Sequence, residues 1–408
     1  MAAAGPLSAQ PVWEDFNTSN SGLGYDWVND IAVSEDGVTW YGTEFGLFSW
    51  DGATWTNYPS GASGPPDEVI RSLHFDADGN LWIGTFMGGL CRYDGSTWTS
   101  WNTSNSPLPE NFVRDIAHDG LGRIWVGTTA GLAYLDGSTW MVFNMATSTI
   151  PGNNIPTVFV DRDDVLWCGT INAGLCMFDG KGFINWTLAN SELTDNTVLD
   201  IAQDTAGNLW LATPAGGLNI FTPAGTWLDF NVVNSAIPDN EIFRVVIDYQ
   251  NRGVMGFASA GVARFDGTTW EILDSVNAEL PDNHVRALSI GPDSVLWAGT
   301  EASGAARLIE DMTPPPPEGF LQTTVSPLRF WPNPVKEVLY LEPGLLRTGA
   351  ADFVLSWYDL NGRLLHEQSG RVQEAASALP LPGELSAGNY MLQLRIGEEL
   401  FAAPVQVR

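Results

Sequence analysis

The chain has 408 residues, 44% of them hydrophobic and 16% charged, with 18 Lys+Arg against 48 Asp+Glu for a net charge of −30. The length predicts more than one domain, and so negative a surface argues against nucleic-acid binding and electrostatic docking on anionic lipid. No stretch approaches the ~20 apolar residues of a membrane-spanning helix, and 43 Gly with 18 Trp favour short strands and tight turns.

Residues 1–10 read as a signal-peptide remnant or a tail, small residues ending at Ser8-Ala9-Gln10 without a basic stretch before them. From 11 to 310 one pattern recurs. Leu81-Trp82-Ile83-Gly84-Thr85 is followed by Gly89-Leu90, Tyr93-Asp94-Gly95 and Trp98. Its copies are anchored at 40, 82, 125, 167, 210, 255 and 297, so seven repeats lie 42–45 residues apart. The sixth is degenerate, with Met255 in the place of Trp. Each copy splits into four strand-like runs, and an Asp-Gly pair supplies the positive φ of a tight hairpin before the fourth. Four short antiparallel strands repeated radially describe a propeller blade, so the expected fold is all-β, a seven-bladed β-propeller. The seventh copy has no fourth strand of its own. Residues Val12-Trp13-Glu14-Asp15-Phe16-Asn17 match Thr97-Trp98-Thr99-Ser100-Trp101-Asn102, so the opening segment is expected to complete the last blade and leave no open junction. Twelve of the 18 Trp fall at two repeat positions and are assigned to packing between blades.

Residues 311–321 form a linker stiffened by Pro314-Pro315-Pro316-Pro317. Residues 322–408 carry a net charge of only −2 and alternate in short runs such as Phe353-Val354-Leu355-Ser356-Trp357-Tyr358. They are expected to form a small Ig-like β-sandwich.

The repeat, typified by Asp76-x-Asp78-Gly79-Asn80-Leu81-Trp82-Ile83-Gly84-Thr85, resembles the two-component regulator propeller repeat. That resemblance implies an extracellular sensor-type propeller, often in glycan-responsive systems, although no kinase or regulator segment accompanies it here. The tail resembles the type IX secretion system type A sorting domain. Its landmarks are Trp331-Pro332-Asn333-Pro334, Tyr358-Asp359-Leu360-Asn361-Gly362-Arg363, Leu385-Ser386-Ala387-Gly388-Asn389-Tyr390 and the terminal Pro404-Val405-Gln406-Val407-Arg408. This second resemblance implies a secreted or cell-surface protein of a Bacteroidota-type bacterium. It would leave by a Sec signal and then the type IX machinery, its partner through the tail. An ordinary Ig-like adhesive module is the alternative.

Chemical motifs are sparse. His74, His118, His284 and His366 lack metal-ligand spacing, and no His-Glu-x-x-His, Cys-x-x-Cys or Gly-x-Ser-x-Gly occurs. Asp76-x-Asp78-x-Asn80 imitates the start of a calcium loop but lacks the terminal Glu. It reads as an Asp-stabilised hairpin, with bound Ca²⁺ as the alternative, and no other cofactor is expected. Three Cys cannot build a complete disulfide framework. Cys91 and Cys176 read as buried filler. Cys168 and Cys176 face each other across a hairpin, bridged or free, with free thiols favoured.

Function is expected where the repeats disagree. The loops into the first strand and between the second and third strands should share one face. Tyr25, Trp27, Phe45, Phe86 and Phe112 stand there as a stacking platform for sugar rings, or as plugs packed on one another. Arg71, Arg114, Arg244 and Arg286 fall at the start of the channel-lining strand, beside Asp30, Asp115 and Asp200. Such arginines either grip a carboxylate or sulfate or pair with the acids and stitch blades together. The preferred function is a non-catalytic module binding a glycan, acidic sugars fitting best, or a surface protein. The alternatives are a propeller-type polysaccharide lyase using His284, Tyr25 and Arg286, and a scaffold for surface assembly.

Overall fold

The computed structural model describes residues 12–309 and, between 325 and 407, the strands of the tail. Contacts divide the chain into two units, 1–309 and 310–408. The first unit holds seven four-stranded antiparallel sheets and no helix among the described residues. In six of them the strands follow chain order outward from the channel. The seventh joins 285–290, 296–300 and 305–309 to the opening strand Val12–Phe16. Val12 lies opposite Ile309 and Phe16 opposite Ala305. The closure expected from the Trp13 segment is therefore present. Trp13 and Phe16 are both buried in core clusters of this junction.

The recurring motif has two physical causes. Its Gly sits where the first residue of the next blade's inner strand packs. A Cβ on Gly84 would lie 2.7 Å from Val113, and one on Gly299 would lie 2.7 Å from Val28, which joins the last blade to the first. Its Trp reaches back to the preceding turn. Trp82, Trp125, Trp167 and Trp210 donate their indole N–H to Asp76, Asp119, Asp161 and Asp204 at 2.7–3.0 Å. Where Met255 replaces the Trp, Arg252 takes the turn carboxylate of Asp248 instead. Asp76 also accepts N–H groups of Asp78 and Asn80. These bonds account for the spacing that imitates a calcium loop. Among the described residues no group of three or more His, Cys, Asp or Glu is placed to hold a metal.

In the second unit, five strands form one sheet and three form another. Trp357 lies opposite Leu392 in the larger sheet, and both are fully buried. The 1–10 tail, the 311–321 linker and the landmarks Pro332-Asn333-Pro334, Asp359–Arg363 and Leu385–Ala387 lie outside the described residues. No described helix is long and apolar enough to cross a membrane.

Candidate functional site

One rim of the ring is marked by backbone bonds. Glu44 N–H donates to Trp27 O, Phe86 to Val69, Ile171 to Asn154, Ala258 to Glu241 and Glu301 to His284. The loops between second and third strands therefore share a face with the segments leading into the first strands, as expected. We call this the top face.

The inner strands present successive rings of side chains to the channel. In five blades the register shifts between the first and third residues of the inner strand, for example between Val113 and Asp115. Such a bulge re-aims a side chain that regular alternation would turn away. Two consecutive residues thus face the channel. The upper ring is Asn29, Arg71, Arg114, Pro156, Leu199, Phe243 and Arg286. With Phe112 and Arg244 it encloses a mouth pocket of about 170 Å³. One residue deeper stand Asp30, Asp115, Thr157, Asp200 and Arg244. They line a second cavity of about 550 Å³ below. Arg244 borders both spaces and forms the floor between them.

The lower ring is stitched across blades. Asp30, Asp115 and Asp200 each accept a backbone N–H from the next blade, of Leu73, Val158 and Val245, all at 2.8 Å. Burial raises the pKa of all three carboxyls, and the Arg244 guanidinium offsets only part of that rise. Asp30 is pushed up to about 6 and Asp200 to about 7. Burial works against the charge of Arg244, but Asp200, Asp30 and Asp115 outweigh it and hold its pKa above the usual value. Further down the channel, His74 Nε2 lies 2.7 Å from His118 Nδ1. Burial and then the neighbouring imidazole push His74 down to about 3, so it is neutral at ordinary pH.

The mouth interleaves cations with rings. Arg71 lies 2.7 Å from Glu44 and stands over Phe86 and Phe112 at 5.3 and 5.9 Å. Arg286 grips Glu301 through Nε and Nη2 at 2.9 and 2.8 Å, between the rings of Trp27 and Phe243. His284 Nε2 approaches the same Glu301 oxygen at 2.7 Å, and its ring stacks on Phe243. Arg114 differs. It donates to Asn154 Oδ1 at 3.3 Å and stands over Phe112 at 5.5 Å, with no carboxylate within 4 Å among the described residues. Burial, then Arg244 and Arg71, lower its pKa. Asp115, one residue along the strand, opposes that shift only in part, so the mouth holds one guanidinium with no carboxylate in ion-pair contact among the described residues.

Five of the expected residues, Arg71, Phe112, Arg114, Arg244 and Arg286, surround one pocket. Phe86 and Trp27 join it through Arg71 and Arg286. Tyr25 and Phe45 pack on each other at 5.1 Å, outside its lining and partly open to solvent. Of the expected acid–base set, His284 and Arg286 meet at Glu301, whereas the ring contact of Tyr25 is with Phe45. Sequence reasoning missed Asn29, Phe243 and the neutralising roles of Glu44 and Glu301. Asn29 and Phe243 share the repeat position of Arg71, so comparing that position in every copy would have found them.

Four segments, residues 64–87, 107–130, 149–172 and 192–215, match the two component regulator propeller family. No curated protein sequence matches the chain. Among solved structures it is similar to the extracellular domain assigned to a hybrid two-component system of B. thetaiotaomicron. That alignment has 16% identity and a TM-score of 0.65, covering 97% of this chain and 57% of that one. A streptogramin B lyase aligns at 15% identity and TM-score 0.61, over 75% of this chain and 100% of the lyase. PorZ, an essential surface component of the type-IX secretion system of Porphyromonas gingivalis, aligns at 16% identity and TM-score 0.58. Here the coverage is 96% of this chain and 61% of PorZ. The chain thus spans less than two thirds of the first and third of these structures. At such identities the shared property is the fold.

Proposed function

We propose that the propeller is a non-catalytic recognition module of the cell exterior that seats an anionic group of a glycan, a uronate or sulfate, in the top mouth. The observation that carries this reading is Arg114, the mouth guanidinium without a carboxylate partner, set against the face of Phe112. A ligand carboxylate or sulfate supplies the missing charge and can take parallel N–H bonds from the guanidinium plane. Phe86, exposed beside Phe112, offers an apolar face to a sugar, whereas Phe112 and Trp27 lie under the mouth arginines. The extracellular setting is supported by the repeat family and by the likeness to an extracellular domain and to PorZ.

Truncating a charged hydrogen-bonding partner costs roughly 1.5–3 kcal/mol, or about a 10- to 150-fold loss of affinity. Affinity electrophoresis of the full chain in gels of uronate polymer should therefore show strong retardation that Arg114→Ala reduces by that factor. Unchanged retardation of the variant would refute the seat. The convergence of His284 and Arg286 on Glu301 favours a second reading, a lyase. In the same samples a lyase would generate ultraviolet-absorbing unsaturated ends, and the recognition module would not.

Export through the C-terminal unit is part of the proposal, on the landmarks quoted above. A chain ending at residue 321, given an added Sec signal and expressed in a type IX-competent host, is expected to stay in the periplasm. Its appearance in the medium at the level of the full chain would remove the sorting role.

A further inference from the structure

We propose that Cys168 and Cys176 are a disulfide-forming pair, closed when the chain folds in the presence of a protein disulfide oxidant. In the structure both are free thiols, as the sequence favoured; they are direct partners across the second and third strands of blade four, and their sulfurs lie 3.0 Å apart. Directly opposed residues of an antiparallel pair have Cβ atoms about 4.5–5.5 Å apart, against about 3.5–4.5 Å in a disulfide. The change needed is a small approach, and the sulfurs are already turned towards each other. The repeat supplies an internal control. Cys91 occupies in blade two the position that Cys176 occupies in blade four, but faces Ile83, and its nearest polar contact is Ser100 Oγ at 3.4 Å. It therefore stays a thiol.

In the folded ring both paired thiols are fully buried, and burial together with the neighbouring sulfur drives the Cys176 thiol far above its usual pKa. A thiolate is needed to attack a disulfide. Closure therefore precedes completion of blade four. One cysteine thiolate attacks the oxidant's disulfide and releases one of its sulfurs as thiolate. The second cysteine, as thiolate, then displaces the other oxidant sulfur from the mixed disulfide. Two protons leave the pair, and two electrons pass to the oxidant, which becomes a dithiol. The bond spans the base of the Thr170–Gly174 loop, whose amide Ile171 N–H is tied to Asn154 on the top face. It thereby fixes one segment of the rim beside the partner of Arg114.

The chain's natural access to an oxidant rests on the extracellular reading. The test does not, because the full chain can be directed by an added signal into an oxidising bacterial periplasm. The protein is unfolded in guanidinium chloride with iodoacetamide, digested and mapped before and after reduction. The expected result is one alkylated cysteine, Cys91, with the peptides of Cys168 and Cys176 linked until reduction. A Cys91→Ala chain should have no alkylated cysteine before reduction. Three alkylated cysteines without reduction, or a linkage involving Cys91, would overturn the proposal, and neither outcome bears on ligand binding at the mouth.

Discussion

Removing residues 12–21 should abolish the closed ring. The lost strand contributes Trp13 and Phe16, which pack into two separate core clusters. Truncating a buried aromatic costs roughly 3–5 kcal/mol. Two such losses approach the whole stability of an ordinary domain, about 5–15 kcal/mol. The backbone edge of 305–309 is unpaired as well, and Arg307 loses Glu14 and the ring of Phe16. Calorimetry should show a fall in Tm of about 12–40 °C, or no cooperative transition, on the scaling of about 2–4 °C per kcal/mol. A synthetic peptide of residues 12–21 should restore part of the loss by re-pairing with the open edge. Unchanged unfolding of the truncated chain would show that the seventh blade is stable with three strands.

The second large effect is a dependence of stability on pH that runs against the common direction for acidic groups. Asp30 and Asp200 have folded-state pKa values raised to about 6 and about 7, so the folded chain holds protons that the unfolded chain has released. The stabilisation is complete below the ordinary carboxylate pKa, near 4, and is lost as pH rises through 6 to 7. For Asp200 the shift of about three units corresponds to something on the order of 4 kcal/mol. The ring titrates as a coupled set that includes Asp115 and Arg244, so the loss spreads over several pH units. Urea titrations from pH 4 to pH 8 should show the falling trend, reduced below about pH 6.5 by His74, whose lowered pKa works in the opposite direction. Asp200→Asn, which keeps an oxygen for Val245 N–H, should flatten it and raise stability at pH 8. A slope of the opposite sign, or one unaffected by Asp200→Asn, would remove the buried-carboxylate account.

The fold was legible because its determinants are local and repeated. Trp, Gly and Asp-Gly recur at fixed spacing, and each has one physical task in most of the blades that carry it: an indole bond to a turn, a close approach by the next blade, or a hairpin φ. The ring closure was legible because Trp13 stands in the place of Trp98. The site was legible by residue type but not by depth. Arg244 was grouped with Arg71, Arg114 and Arg286, yet it stands one ring lower, among the three carboxylates. Ordinary strand alternation cannot foresee this, since the bulge lets two consecutive positions face the channel. Charge balance was equally hidden. Glu44 and Glu301 lie on loops 27 and 15 residues from the arginines they neutralise, and only folding shows that Arg114 has no such counterpart. His74 and His118 lie in different blades, 44 residues apart, and nothing in the repeat announces their meeting.

The shared seventh blade also fixes an order of events. Glu14 and Arg307 meet across 293 residues of chain, a separation that puts the joining step among the slowest contacts a domain can make. A growing chain cannot contain a finished ring until residue 309 has been synthesised. Until then its first strand waits with Trp13 and Phe16 uncovered, a natural client for a holding chaperone. A chain delivered across a membrane from its first residue onward therefore passes as an open ribbon and locks only on the far side, once both ends have arrived.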